Sequence, residues 1–170
     1  MGSDYTFSNH IRCIWENIEV LQDRIYELEI QLNILKNQQD KIFLLSIEEY
    51  EKYKKYIPSI NTWWWLQSPG SNSCRAANVS SDDSVDNLGD FVYYDFGAVR
   101  PALKISKQEF ENLNLGDRFV KHDFPWIKIS NYLAIAEIPI AFRRFDKISN
   151  NYDNSEIKQF LQDWLKRRQH

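Results

Sequence analysis

The chain has 170 residues, a formal net charge of −3 and an aromatic content of 15%. That length suffices for one domain of moderate size plus a long helix, and the aromatic content excludes a disordered chain. No apolar run has membrane-spanning length and no signal peptide is recognisable, so we expect a cytoplasmic protein. The two cysteines are too far apart in sequence to indicate a metal site or a disulfide framework.

The first predicted element is a helix over residues 8–41, preceded by a flexible segment at residues 1–7. Its apolar positions recur in alternating steps of three and four residues: Ile11, Ile14, Ile18, Leu21, Ile25, Leu28, Leu32 and Leu35. Such a stripe faces a partner in a left-handed supercoil, and isoleucine at most a positions with leucine at most d positions favours a parallel dimer. The sequence therefore predicts a coiled coil that joins two copies of the chain.

An alternative for this helix is packing on its own domain. A second set of apolar residues lies outside the a and d positions, and Trp15 occupies an e position. The members of this set are Val20, Tyr26, Ile30 and Ile34. These residues could contact the globular part of the chain instead of a second copy.

Residues 42–170 are predicted to form a compact α+β domain with antiparallel strands. Helices are expected after Ser46, with Pro58 as a stop, and after Asn154 and Ser155 near the end of the chain. Strands are expected at residues 42–45, 62–69, 76–79, 91–94, 99–105, 126–129 and 132–136. A turn at residues 81–84 and a hairpin at residues 115–120 complete this prediction.

Three consecutive tryptophans, Trp63, Trp64 and Trp65, mark one predicted strand. Successive side chains of a strand point to opposite faces, so Trp64 should point away from its two neighbours. An aromatic platform for sugars is one interpretation of the run. We favour structural roles in the core for Trp64 and Trp65.

Four segments of the chain together resemble a family of bacterial and phage domains of unknown function. They read FLLSIEEY at residues 43–50, WWLQSPG at 64–70, a strand pair at 79–85 and VRPAL at 99–103. The family pattern reads LLSxEEY, WWLRSPG and GVRPAL in this order. The resemblance implies a lectin-like mixed α/β domain, distantly similar to the C-type-lectin and sulfatase-modifying-factor folds.

The end of the chain resembles the opening of the same family pattern. Residues 126–129, 133–135 and 152–161 match a tryptophan strand, a second strand and a capped helix that precede the LLS segment in the family. The resemblance therefore implies a circular permutation, with the coiled-coil helix at the new N-terminus. Gln67 stands where the family has arginine, Asp83 replaces a turn glycine and Ala98 is inserted, which weakens the transfer of any site built on the lost arginine.

Arg100, directly before Pro101, is a candidate site residue. Its neighbours Val99 and Ala102 are of types found in protein cores. The alternative is a buried arginine that donates to loop carbonyls and stacks on a tryptophan. We interpret Arg100 as structural.

An acidic stretch is the candidate partner-binding face, formed by Asp82, Asp83, Asp86, Asp90 and Asp95. Its spacing does not match an EF-hand loop. A solvated hairpin is one interpretation of these residues. A face that contacts a protein or mimics the charge of a nucleic acid is the other.

The sequence predicts no catalytic residue, metal or cofactor, because no histidine has a recognisable nucleophile partner. Two basic clusters, Arg143–Arg144 and residues 166–168, could contact phosphate, but the acidic total argues against a dedicated nucleic-acid binder. We expect a non-catalytic, homodimeric protein-binding module whose partner is a protein or nucleoprotein. By the resemblance it would be an accessory protein of a phage or mobile element in a bacterial host. The predicted dimer and the acidic stretch favour, within that class, an anti-CRISPR-like inhibitor of a defence nuclease. The alternative is a lectin-like module that binds carbohydrates or small ligands.

Overall fold

The structure, a computed structural model, describes residues 11–12, 14–22, 24–26, 28 and 42–169. The chain divides into two units, residues 1–39 and residues 40–170. The second unit has an α+β fold, as the sequence predicts, with two mainly antiparallel sheets and few helices. No helix among the described residues is both long and apolar enough to cross a membrane.

The described residues of the first unit are all helical. Five of the heptad side chains are between 41% and 61% exposed in the single chain: Ile11, Ile14, Leu21, Ile25 and Leu28. Ile18 is partly exposed. Leu32 and Leu35, the flexible segment predicted at residues 1–7 and the predicted helix end at residue 41 lie outside the described residues. The described part of the stripe is therefore apolar and open to solvent in one copy of the chain.

Among the described residues of the second unit, ten strands form two sheets. They are β1 (Ile42–Phe43), β2 (Trp64–Pro69), β3 (Arg75–Val79), β4 (Val85–Phe91), β5 (Ala98–Val99), β6 (Ala102–Lys104), β7 (Arg118–Lys121), β8 (Phe124–Lys128), β9 (Leu133–Ala136) and β10 (Ala141–Phe142). One sheet has the order β1-β6-β9-β8-β7 and the other has the order β10-β5-β2-β3-β4. Strands β2 and β5 pair in parallel.

The chain passes from one sheet to the other at Arg100 and Pro101. Val99 is the last residue of β5 and pairs with Ala141, whereas Ala102 begins β6 and pairs with Ile135 of the other sheet. Proline has no N–H to donate to a strand ladder, which suits a point where one ladder ends. The predicted single strand at residues 99–105 is therefore two short strands in different sheets.

The tryptophan run confirms the predicted alternation. The rings of Trp63 and Trp65 meet edge to face at 4.7 Å, whereas Trp64 points to the opposite face and meets Tyr50 at 5.5 Å. Trp64 and Trp65 are almost completely buried in two different clusters of the core. Together with Trp126 they are the largest fully buried side chains.

Two α-helices pack on the sheets in the part of the second unit that the structure describes, and the predicted caps of both are confirmed. The central helix (Ile47–Tyr53) begins with a capping box, in which Ser46 Oγ accepts from Glu49 N at 3.1 Å and Glu49 Oε2 accepts from Ser46 N at 2.8 Å. A 3-10 helix (Lys54–Tyr56) follows it, and another (Tyr152–Asn154) precedes the C-terminal helix (Glu156–Lys166). Ser155 Oγ caps that helix by accepting from Lys158 N at 3.2 Å.

The C-terminal helix is amphipathic, as its apolar spacing predicts. Four of the five predicted apolar residues are buried: Ile157, Leu161, Trp164 and Leu165. Phe160 is only partly buried. This side chain consequently remains available to line a surface cleft.

Two local predictions are wrong. Residues 91–94 do not continue as a strand beyond Phe91. The backbone of Val92 bonds elsewhere, because its N–H donates to Cys74 O and its carbonyl accepts from Phe145 N and Asp146 N. The hairpin predicted at residues 115–120 turns instead at residues 122–123, between β7 and β8. His122 and Asp123 both adopt positive φ, the conformation that a tight two-residue hairpin requires.

Candidate functional site

The acidic stretch does not converge on one point. Asp82 and Asp83 are exposed at the tip of the β3–β4 hairpin, beside the Val79–Val85 pair. Asp95 is exposed in the loop that follows the other end of the hairpin. Among the described residues, no group of three or more histidine, cysteine, aspartate or glutamate side chains is arranged to hold a metal ion.

Two of these carboxylates support turns. Asp82 Oδ1 accepts from Ser84 N at 3.1 Å and from Ser84 Oγ at 2.6 Å, and these bonds lower the pKa of Asp82. Asp86 Oδ1 accepts from Leu88 N at 3.0 Å and from Gly89 N at 3.1 Å. Gly89 has a φ of 75°, so the Asp86 carboxylate stabilises a left-handed backbone position within β4.

The other two engaged carboxylates have side-chain partners. Asp90 Oδ2 accepts from Asn78 Nδ2 at 3.2 Å, and partial burial, assisted by the charge of Asp86, raises the pKa of Asp90. Asp95 Oδ1 lies 3.6 Å from Arg144 Nη1. The exposed tip residues Asp82 and Asp83 are consequently the part of the acidic stretch best placed to meet a partner.

Arg100 lies at the sheet crossing and is fully buried. Its Nε donates to Ala136 O at 2.9 Å, its Nη1 donates to Pro58 O at 2.8 Å, and its guanidinium lies 5.5 Å from the ring centre of Trp64. Burial lowers the pKa of Arg100 to about 10, so the side chain stays charged at neutral pH. The arginine therefore ties the loop at Pro58 and the end of β9 to the tryptophan strand.

An aromatic surface lies at the end of the β3–β4 hairpin opposite the acidic tip. We define it by five rings in mutual contact: Trp63, Phe91, Tyr93, Tyr94 and Phe96. Tyr93 is 49% exposed and Phe96 is 59% exposed. Phe96 stacks on Tyr94 at 5.2 Å, and Tyr93 stacks on Phe91 at 5.2 Å. These contacts hold the exposed rings in fixed positions, which is the state that favours an aromatic binding surface.

An open cleft of about 350 Å³ lies between residues 143–144 and the C-terminal helix. We call it the arginine cleft. It is lined by Arg143, Arg144, Glu156, Gln159, Phe160, Asp163 and Arg167. Its position is fixed from the core, because Trp65 Nε1 donates to Arg143 O at 3.0 Å and Arg143 N donates to Gly97 O at 2.9 Å.

Glu156 is neutralised within the arginine cleft. Its carboxylate accepts from Arg144 Nε at 2.6 Å and lies 3.1 Å from Lys147 Nζ, and both cations lower the pKa of Glu156. Gln159 Nε2 donates to Asp163 Oδ1 at 3.0 Å. The two carboxylates of the cleft are therefore already engaged by neighbouring side chains.

Arg143 differs from its neighbours in the cleft. Its guanidinium lies 4.4 Å from the ring centre of Phe160, and its Nε is buried without a hydrogen-bond partner among the described residues. Arg167 donates through Nε to Asp163 O at 3.1 Å and is exposed. The cleft consequently presents cationic donors that the protein itself does not fully satisfy.

No family model, curated protein or solved structure matches the chain. The resemblance to phage and bacterial domains and the inferred circular permutation therefore stay predictions.

Sequence reasoning located the parts of the arginine cleft but not the cleft itself. The basic clusters at residues 143–144 and 166–168 stand out in the sequence, yet only the fold brings Arg143, Arg144 and Arg167 to one depression. Arg168 does not line the cleft, and its guanidinium lies 4.5 Å from the ring centre of Trp164. The sequence does not indicate the aromatic surface as such, because residues 91–94 fit a strand pattern, although their density of aromatic side chains is a usable signal.

Proposed function

We propose that this chain is a non-catalytic binding protein that pairs with a second copy through its N-terminal helix. The observation that carries the proposal is the exposed heptad stripe, in which Ile14, Leu21 and Ile25 are each more than half exposed in the single chain. Apolar side chains at this spacing lose contact with water when two helices supercoil. A second copy of the same helix is the partner that the spacing fits.

The pairing presents each surface of the globular unit twice. Two weak contacts to one partner act together when both can be made at once, which raises the overall affinity without any new contact. We propose that the paired chain contacts a protein or nucleoprotein through the aromatic surface and the acidic tip. Clustered exposed tyrosine and phenylalanine side chains support the first contact, because aromatic residues anchor protein interfaces.

The acidic tip contributes differently. Asp82 and Asp83 are exposed, and exposed charges mainly accelerate and orient association instead of adding affinity. Their charge would complement the basic surface with which a nuclease holds its nucleic acid. The partner that we propose is accordingly a nuclease of a host defence system, inhibited by a phage or mobile-element accessory protein.

A capture experiment tests the partner contact. The tagged full chain would be used to capture proteins from a bacterial lysate that contains defence complexes, and the affinity of the purified partner would then be measured. We expect a stoichiometric nuclease or nucleoprotein. Replacing both Tyr93 and Phe96 by alanine should weaken its binding at least tenfold, because the exposed aromatic anchors are lost.

Two control variants separate the contributions. Ile148→Ala removes a side chain that is 79% exposed outside the aromatic surface and should leave the affinity unchanged. Asp82→Asn with Asp83→Asn should slow association at low salt and have little effect on dissociation. A chain that pairs normally but captures no protein would contradict the proposed function, and so would a partner that binds the double alanine variant as tightly as the parent.

A second candidate function is carbohydrate or small-ligand binding. The exposed rings of Tyr93 and Phe96 favour it, because apolar sugar faces can stack on aromatic rings held in place by their neighbours. A glycan array probed with the full chain distinguishes this candidate. Carbohydrate binding predicts selective signals on the array that the Tyr93→Ala and Phe96→Ala changes abolish. An array without any signal would rule out this function.

A further inference from the structure

We infer that the arginine cleft is a binding site for an oxyanion, namely the carboxylate or phosphate group of a ligand, with Arg143 as its principal donor. This inference is independent of the proposed protein partner. It rests on three observations: an unsatisfied buried donor, a guanidinium held by an aromatic ring and an open cleft lined by further arginines.

The first step is the unsatisfied donor. Buried polar atoms in native proteins nearly always have a hydrogen-bond partner, because leaving one unpaired has a substantial energetic cost. Arg143 Nε is buried without such a partner in the described part of the chain, although the residue lines an open cleft. A small shift of the guanidinium toward the cleft would bring Nε to an acceptor there and remove this cost.

The second step is the geometry of the donor. The guanidinium of Arg143 lies against Phe160, with its central carbon 4.4 Å from the ring centre. This contact restricts the side chain, while the N–H groups along the edge of the guanidinium stay able to donate. A guanidinium edge offers two parallel N–H groups, which match the spacing of two oxygens in a carboxylate or phosphate.

The third step is the charge around the cleft. Three arginines line it, against two carboxylates. Arg144 and Lys147 neutralise Glu156, and Gln159 engages Asp163. Arg167, directly after the C-terminal helix, is exposed and adds a second cation to the wall of the cleft. Arg144 is also paired with Asp95 Oδ1 at 3.6 Å, so Arg143 and Arg167 are the cations that an entering anion would meet.

The cleft volume sets the class of ligand. About 350 Å³ lies at the small end of the range typical of ligand pockets. The site therefore suits a small molecule, or a single anionic group of a larger one.

The experiment is a titration of the full chain with inorganic phosphate and, separately, with acetate. The signal to follow is the Nε–H resonance of Arg143 in a nitrogen–proton correlation spectrum, at constant ionic strength maintained with chloride. We expect a saturable shift of this resonance with at least one of the two anions. The anion with the tighter binding identifies the chemical source, phosphate or carboxylate.

Variants make the result specific. Arg143→Met retains the contact with Phe160 but removes the donors, and should weaken anion binding at least tenfold. Arg143→Lys retains the charge and loses the paired N–H groups, so its affinity should lie between those of the parent and Arg143→Met. Arg118→Gln changes the net charge by the same amount in β7 and should change the affinity by less than twofold.

Three outcomes would overturn the inference. One is a titration in which neither anion gives a saturable shift of Arg143 Nε–H. Another is binding that survives Arg143→Met with unchanged affinity. The third is an equal loss of binding in Arg118→Gln, which would indicate a response to net charge only. The dispersion of the amide spectrum shows whether each variant is folded. If Arg143→Met does not fold, the anion affinity of Arg143→Lys relative to the parent is the deciding result.

Discussion

Single residues fix the places where the chain changes direction. Arg100 is the clearest, because it is buried at the crossing between the sheets and joins Ala136, Pro58 and Trp64. The sequence indicated a structural arginine from its apolar neighbours. It could not identify the carbonyl partners, because Ala136 at the end of β9 and Pro58 in a loop lie 36 and 42 residues away in the sequence.

Replacing Arg100 by lysine tests this arrangement. Lysine keeps the charge but cannot reach both carbonyls with the geometry of a guanidinium, so we expect the free energy of unfolding to fall by about 2–3 kcal/mol. Chemical denaturation at neutral pH would measure the change. Arg118→Lys is the matched control, since its side chain is exposed and should shift stability by no more than about 0.5 kcal/mol. Equal stabilities of the two variants would contradict the role assigned to Arg100.

At the scale of elements, Asp146 joins the loop after β10 to the start of the C-terminal helix. Its Oδ2 accepts from Ile148 N at 3.2 Å and Ser149 N at 3.1 Å, and its Oδ1 accepts from Glu156 N at 3.2 Å. Partial burial raises the pKa of Asp146, but the backbone N–H donors outweigh it and the pKa is lowered from 3.8. A helix start was predictable from Ser155, whereas this second carboxylate contact was not, because it depends on a loop that folds back.

Asp146→Asn should lower the free energy of unfolding by about 1 kcal/mol at pH 7, because the charged acceptor of three backbone N–H groups is lost. The folded-state pKa is lowered, so the stabilisation is present above pH 3.8 and declines as the pH falls through the lower folded value. Denaturation curves of parent and variant at pH 7 and at pH 3 would measure both effects. The difference between them should shrink at the lower pH.

Asp153→Asn serves as the control for Asp146→Asn. Asp153 pairs with Lys158 at 2.5 Å, but its side chain is 82% exposed, so its loss should have little effect on stability. A difference between Asp146→Asn and the parent that stays constant across this pH range would contradict the assigned role of the carboxylate.

At the scale of the whole molecule, local patterns predicted local structure well. The caps at Ser46 and Ser155, the β3–β4 turn and the alternation of the tryptophans all follow from interactions within a few residues. The passage of the chain between sheets and the meeting of Arg143 with Arg167 depend on contacts between distant segments. No periodicity in the sequence encodes them.

At this scale we expect the chain to associate with a second copy of itself. The stripe that carries this association was predictable because a heptad repeat is local, and its described members are exposed in the single chain. Val20 and Tyr26 are exposed apolar residues of the same helix that lie outside the a and d positions. Changes at these two residues are therefore the matched control for changes in the stripe.

The most direct test is the molar mass of the full chain in solution, measured by sedimentation equilibrium. We expect twice the chain mass of 20.3 kDa for the parent, a single chain mass after Ile18→Asp with Ile25→Asp, and an unchanged dimer after Val20→Asp with Tyr26→Asp. A parent protein that sediments as a single chain at all concentrations, or a dimer that survives the changes at Ile18 and Ile25, would contradict this expectation.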